Sequence, residues 1–222
     1  VFHDVLEINL QETIDSLSED DIIVVAGGDG TLNHFVNEID CETIKNEIYY
    51  YPAGTGNDFY RDVAQELENR PVRVDEYLKK LPTVTVNGET SKFFNGIGFG
   101  IDGYCCEVGD KLREESDKPV NYTSIAIKGL LFKYKPTAAK ITVDGKVYEY
   151  KKVWLAPTMF GQYYGGGMIP AEKQTRKNGK LSVMVLHDSG KIRTLMAFPS
   201  IFEGKIGNYT KIVDVIEGND IK

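Results

Sequence analysis

Five apolar residues, Ile22 to Ala26, run straight into Gly27-Gly28-Asp29-Gly30-Thr31, and an apolar pattern resumes at Leu32, Phe35, Val36 and Ile39. The first run is short, continuous and β-branched, as in a strand buried on both faces of a parallel sheet. The second has helical spacing. A strand feeding a glycine loop and then a helix is the repeating unit of an open α/β domain, where ligands gather at the carboxyl ends of strands. Glycines there let a ligand approach the backbone without a Cβ in the way. A helix starting near Thr31 offers backbone N–H groups and a partial positive charge, which suit phosphate. Asp29 is the odd member. Beside phosphates a carboxylate needs a cation between, or a proton to handle. No Lys-Ser/Thr follows, so this is not a Walker A loop. The plainer alternative is a tight turn in which Asp29 caps the helix.

The arrangement recurs. Ile48 to Tyr51 reads as a second strand, closed by Pro52. Gly54-Thr55-Gly56-Asn57-Asp58 follows, then a helix expected from Phe59 to Leu67. Thr55, Asn57 and Asp58 carry groups able to contact phosphate or ribose, or to organise metal-bound water. Two such loops on neighbouring strand ends make a cleft.

The texture changes near Pro82. Thr83 to Val86 alternates, Asn87-Gly88 signals a hairpin, and Lys92 to Phe99 alternates again. Asp144-Gly145 marks another hairpin, between strands at 140–143 and 147–155, and Leu181 to Leu186 is a further strand. Helical spacing returns in Asn121 to Phe132 and Ile192 to Phe202. The expected fold is an open α/β nucleotide-binding domain at 1–82 followed by a mainly-β sandwich domain at 83–222.

Charge divides the same way. Up to Pro82 there are 6 Lys+Arg against 18 Asp+Glu; from Thr83 there are 20 against 15, within a total of −7. A basic second half suits anionic lipid headgroups or a solvated surface. No basic-aromatic stripe points to nucleic acid. Cys41, Cys105 and Cys106 lack zinc-ligand spacing and read as reduced thiols. No apolar run approaches the roughly 18–20 residues of a membrane span. The first ten residues carry Asp4 and Glu7 and lack the basic lead-in of a signal peptide.

Together, "GGDGTLN" (residues 27–33) and "PAGTGNDF" (52–59) resemble the diacylglycerol kinase catalytic-domain family, in its bacterial lipid-kinase branch, to which sphingosine and ceramide kinases are related. "FFNGIGFGIDG" (93–103) is similar to that family's entry into its β-sandwich domain, and "YYGGGMIPA" (163–171) to its later glycine-rich loop. The resemblance implies ATP-dependent phosphorylation of a lipid hydroxyl, first of all that of diacylglycerol. ATP would lie between the domains, with Gly27 to Thr31 on its phosphates and Gly54 to Asp58 positioning the nucleotide. Mg²⁺ would neutralise charge, and Asp29 would be the acid nearest the reacting phosphate. The lipid would enter beside the β-rich domain, whose apolar and basic surface would face the membrane. A cytoplasmic, peripherally membrane-associated enzyme is expected, with a homodimer among its expected assemblies.

The chain departs from the family pattern at four places. The family opens with a strand and an Asn-Pro-x-Ser-Gly loop, and carries a late Asp-Gly-Glu segment; neither has a counterpart between Val1 and Lys222. The expectation is a chain truncated at both ends, binding nucleotide weakly and turning over little. The family's Asp-Asp-Gly is replaced within "RKNGKL" (176–181), where Asn178 stands in the position of a metal-binding Asp. With the carbonyls of Thr175 and Lys180 it would hold Mg²⁺ weakly, the alternative being a plain turn at Asn178-Gly179. His34 replaces a Glu and is expected as an exposed first-turn residue. Asn95 and Asp102 flank "NGIGFGID" within reach of the cleft. Lys128 to Lys135 mixes bases and apolar residues, as a membrane contact or as a partly buried helix with snorkelling lysines. Two other readings stay open. One is a NAD kinase, which shares Gly-Gly-Asp-Gly but not the second loop; the other is an inactive nucleotide- or lipid-binding module, motivated by Asn178.

Overall fold

A computed structural model describes residues 1–64, 68–115 and 122–222. The chain divides into two compact units, Val1–Asn95 and Gly96–Lys222.

In the first unit, Asn9 caps α1 (Leu10–Asp15) by accepting the Glu12 amide at 3.2 Å. β1 (Ile23–Gly27) pairs in parallel with β2 (Ile48–Pro52). α2 (Asp29–Glu38) makes the crossover between them and buries Leu32, Phe35 and Val36. These pack with Val25, Ile48 and Tyr50 in one core. α3 (Asp58–Val63) follows β2; β3 (Val72–Arg73) then adds antiparallel to β2, and α4 (Asp75–Leu78) follows. Phe59 is fully buried and meets Tyr50 and Phe94 edge-to-face, with ring centroids 5.8 and 5.1 Å away.

β1 corrects one expectation. Ile22 and Val24 are 58% and 52% exposed, so this strand is not buried on both faces. It lies at the edge of its sheet, paired with β2 alone among the described residues. Its β-branched run reports strand preference rather than double burial. The helix expected over 59–67 is α3, and residues 65–67 lie outside the described residues.

The hairpin of β4 (Thr83–Val86) and β5 (Glu89–Lys92) turns through Asn87 and Gly88, at φ 53° and 89°. Both central residues are left-handed, as the Asn-Gly pair implies. The hairpin docks on α2, where Lys92 N donates to Asn37 Oδ1 at 2.7 Å and Asn37 Nδ2 donates to Lys92 O at 3.1 Å. It therefore belongs to the first unit, and the division between units falls after Asn95, past the change of texture at Pro82.

The second unit begins with β6 (Gly96–Ile97), α5 (Ile101–Glu115) and α6 (Tyr122–Lys128), which runs into a π-helical turn at Gly129–Lys133. Next come β7 (Thr137–Val143), β8 (Lys146–Leu155), β9 (Thr158–Met159) and β10 (Leu181–His187). α7 (Lys191–Ala197), a 3-10 turn at Phe198–Glu203 and β11 (Val213–Gly218) complete it. β10 is central, with β11 along one side and β8 and β9 along the other. All pairs in this sheet are antiparallel. The sheet curls until Val143 of β7 bridges Ile221.

Ile141, Val143, Val153, Val183 and Val185 fill the curl. On the other face Trp154, Leu155, Met184 and Leu186 join residues of α5 and α6 in a second core. β10 is thus buried on both faces, as its unbroken apolar run implies. A bulge lets Trp154 and Leu155 share a side, and Trp154 Nε1 donates to Ser189 O at 3.0 Å. The glycine-rich stretch read as a domain entry leads into the long helix α5. Its Gly109 answers to helix packing, since a Cβ there would lie 2.5 Å from the Tyr122 ring.

Candidate functional site

The two glycine loops of the first unit leave the carboxyl ends of β1 and β2 and touch each other. A Cβ on Gly54 would lie 2.4 Å from Gly28 Cα, and one on Gly27 would lie 2.4 Å from the Thr31 hydroxyl. These positions need glycine because the chain packs on itself. Gly30 is different, with nothing within 4 Å of where its Cβ would be. It leaves an open approach to the first turn of α2, which is capped by Gly28 without a side-chain hydrogen bond. First-turn N–H groups lack intrahelical acceptors, so this approach suits an anion.

Asp29 is engaged as a brace. Its Oδ2 accepts the Asp58 amide at 3.0 Å, and its Oδ1 accepts the Phe59 amide at 2.9 Å and Asn95 Nδ2 at 3.1 Å. It caps α3 rather than its own helix and ties the second loop to the first. The geometry gives Asp29 a positioning role, where the sequence placed an acid beside a reacting phosphate. Asn57, left-handed at φ 49°, closes the second loop on itself. Its Oδ1 accepts the Gly54 amide at 3.1 Å, and its Nδ2 donates to Gly54 O at 2.7 Å. Asp58 is buried, and Thr55 is the exposed hydroxyl of that loop. Tyr50 donates to Gly27 O at 2.9 Å; burial pushes its hydroxyl well above the usual range and keeps it a donor. His34 lies partly buried in the second turn of α2, not exposed in the first, with Nδ1 3.9 Å from Glu38 Oε1.

The second unit contains a cavity of about 330 Å³, walled largely by apolar side chains that include Ile101, Ala126, Met168 and Phe198. Asp102, in the first turn of α5, lines it. The Tyr164 hydroxyl lies 3.4 and 3.5 Å from its two oxygens. Burial pushes the Asp102 carboxyl up to about 7, and the Tyr164 hydrogen bond opposes this in part. Gly98 makes room for it, since a Cβ there would lie 2.5 Å from Asp102 Oδ2. Tyr164 is held by a tight turn that pairs it with Met168 across Gly165, Gly166 and Gly167, all left-handed. A carboxyl poised near neutrality among apolar walls can take up or release a proton at pH 7. Burial pushes the neighbouring Cys105 thiol up to about 12, which leaves it unreactive.

The metal expected at Asn178 does not fit the residues present. The Thr175 and Lys180 carbonyls, proposed as co-ligands, accept from Gln174 Nε2 at 3.4 and 3.0 Å, and the Phe160 carbonyl accepts from it at 2.8 Å. An amide nitrogen thus occupies the point on which the carbonyls converge. Asn178 Oδ1 accepts the Lys180 amide at 2.9 Å, the plain turn of the alternative reading. Thr175 Oγ1 accepts the Lys177 amide at 3.3 Å, and Lys180 Nζ pairs with Glu217 at 2.7 Å. Among the described residues, no group of three or more His, Cys, Asp or Glu converges as a metal site.

Comparison with known proteins agrees with both halves. Residues 6–87 match the diacylglycerol kinase catalytic domain, and residues 95–222 match the YegS C-terminal NAD kinase beta sandwich-like domain. The chain belongs to the diacylglycerol kinase-like family. YtlR of Bacillus subtilis (strain 168), which carries a lipid-kinase name, is 26% identical over 225 residues, covering 90% of this chain and 68% of that protein. A similarly named protein of Staphylococcus carnosus (strain TM300) is 27% identical over 184 residues, covering 74% and 54%. A crystal structure of a Bacillus anthracis str. Sterne protein that carries a diacylglycerol-kinase name shares the fold, with a TM-score of 0.65 at 23% identity, and the match covers 96% of this chain and 69% of that one. The chain therefore spans roughly half to two thirds of the length of these curated relatives.

Within this diacylglycerol kinase-like chain, the sequence located both loops that meet in the first unit. It placed Asn95 within reach of the cleft, and the structure places its side-chain amide on Asp29. It missed Tyr164 as the partner of Asp102, although three consecutive glycines just after Tyr164 marked an unusual turn. It also missed Gln174, for which no sequence signal existed, because its acceptors are backbone carbonyls.

Proposed function

We propose that the chain is the core of an ATP-dependent lipid kinase that transfers the γ-phosphoryl group to a lipid hydroxyl, diacylglycerol being the first candidate. The observation that carries this reading is Asp102, a carboxyl poised near pH 7 inside an apolar cavity. Such a chamber suits a hydrocarbon chain, and such a carboxylate can accept the proton of a hydroxyl. The first unit supports the other half of the reaction. The open approach at Gly30 suits the phosphates of ATP, taken up with the Mg²⁺ that accompanies it as substrate. The acceptor oxygen would bond to the γ-phosphorus as the bond to the β-phosphate oxygen breaks, with the hydroxyl proton passing to a carboxylate base and ADP leaving. Asp29 and Asn57 would hold the loops in register. The enzyme would act as a cytoplasmic, peripheral protein; among the described residues no helix is long and apolar enough to cross a membrane.

The test is transfer from labelled ATP, by the full-length protein, to a panel of diacylglycerol, phosphatidylglycerol, undecaprenol and sphingoid bases. Label on one of these lipids is expected, lost in Asp102→Asn while calorimetric ATP binding persists. Label on NAD instead would favour the NAD kinase reading. ATP binding with no transfer to any acceptor would leave a binding module and sink the kinase.

A further inference from the structure

Three consecutive glycines in one turn need a physical reason. Gly165, Gly166 and Gly167 have φ of 61°, 87° and 106°, a region that L side chains rarely adopt. Backbone bonds close the turn at both ends, with Tyr164 N donating to Met168 O at 3.1 Å and Met168 N to Tyr164 O at 2.9 Å. A Cβ on Gly166 would meet no atom within 4 Å, so packing does not call for glycine there; the backbone conformation does. Ordering three glycines is entropically unfavourable, and what the ordered turn achieves is to fix its two closing residues. Both of them, Tyr164 and Met168, line the cavity that holds Asp102.

Asp102 is confined by two neighbours. The Gly98 backbone comes so near that a Cβ there would lie 2.5 Å from both Cβ and Oδ2 of Asp102. The Tyr164 hydroxyl lies 3.4 and 3.5 Å from the two carboxyl oxygens and spans them. A donor at that range orients a carboxylate without binding it tightly, and leaves most of its lone pairs to other donors. The other titratable groups that feel the Asp102 charge are Cys105, also on α5, and Tyr134, just beyond the π-helical turn. Burial, more than that charge, pushes both up and keeps them neutral. Neither supplies a counter-charge, so the Tyr164 hydroxyl is what favours the ionised carboxylate against its burial.

We propose that Tyr164 is a positioning residue: held by the three-glycine turn, its hydroxyl aims the Asp102 carboxylate into the cavity and leaves its remaining lone pairs to a ligand hydroxyl. Its part in phosphoryl transfer rests on the lipid-acceptor reading; the hold on Asp102 does not.

The first experiment is a pH titration of the Asp102 carboxyl by carbon NMR on the full chain, its resonance assigned as the one missing from Asp102→Asn. Tyr164→Phe removes the hydroxyl and keeps the ring. It is expected to raise the titration midpoint by about 0.5–1 pH unit, the loss of one hydrogen bond to the charged form. Gly166→Ala strains the turn without meeting a neighbour and is expected to move the midpoint the same way. A midpoint unmoved or lowered in either variant overturns the proposal. The second experiment is transfer from labelled ATP, by the full-length protein, to the acceptors named above. Tyr164→Phe is expected to lower kcat at pH 7 about tenfold with the KM for ATP unchanged, and part of the loss is recovered as pH rises through the raised midpoint. A tyrosine that merely supports the fold would lose activity equally at every pH, and that result overturns the proposal. No transfer by the wild type overturns the proposed function instead, and the titration then decides by itself whether Tyr164 holds Asp102.

Discussion

Asp29 and Asp102 each sit beside a glycine, and their surroundings are opposite. Asp29, in the first unit, collects two backbone amides and the Asn95 side-chain amide, all within 3.1 Å. Asp102, in the second, lines an apolar cavity with the Tyr164 hydroxyl no closer than 3.4 Å. The first carboxylate is fully used in holding two loops together; the second is left free to exchange a proton. An acid in a glycine-rich motif is therefore not by itself a catalytic acid. What surrounds it decides whether it braces or reacts.

The largest expected effect would sharpen this contrast. Asp102 titrates at about 7 in the folded chain against 3.8 for an ordinary Asp, so between those values the unfolded chain has released a proton that the folded chain keeps. Stability falls as pH rises through that window, and the penalty is complete above about pH 7. Asp102→Asn should gain up to ~4 kcal/mol over wild type at pH 8 and match it at pH 3, by urea unfolding at both pH values. Equal gains at the two pH values would show that burial does not raise this carboxyl.

Next comes Gln174→Ala, which strips a shared donor from three carbonyls and is expected to lose about 2–4 kcal/mol. The wild-type melting temperature should be the same in EDTA as in excess Mg²⁺; a drop in EDTA would return a cation to the cage. Asp29→Ala leaves the Asp58 and Phe59 amides without their acceptor and should lose about 2 kcal/mol in the same unfolding measurement. If instead it keeps full stability and only ATP turnover falls, Asp29 acts on the substrate and the contrast fails.

The smallest effects separate the glycines. Gly54→Ala pushes two backbones apart and should lose ~1–3 kcal/mol. Gly30→Ala meets nothing and should change stability by less than about 1 kcal/mol, with a gain as its sign, because Ala favours a helix. Its ATP affinity, by calorimetry, should nonetheless fall.

Much of this was legible in the sequence where local pattern and tertiary demand agree. The apolar run 181–186 reads as a doubly buried strand and is one, because β10 has a core on each face. The Asn87-Gly88 and Asp144-Gly145 turns adopt the left-handed pairs that their residue types favour. Ile22 to Ala26 misled because β-branched residues favour strands whether or not both faces are covered. The long helix α5 was hidden by Gly103 and Gly109, the latter required by the Tyr122 ring, a contact made across sequence. The brace on Asp29 was invisible for the same reason. Two of its three donors are main-chain amides 29 and 30 positions away, and every residue but proline carries such an amide.

That brace has one more consequence. The Asp58 and Phe59 amides open α3, where backbone N–H groups ordinarily face water and trade their protons for solvent deuterium quickly. Here a side chain from the preceding loop shields them. Their deuterium uptake is a clock for the pairing of the two loops, running whether or not any nucleotide is present.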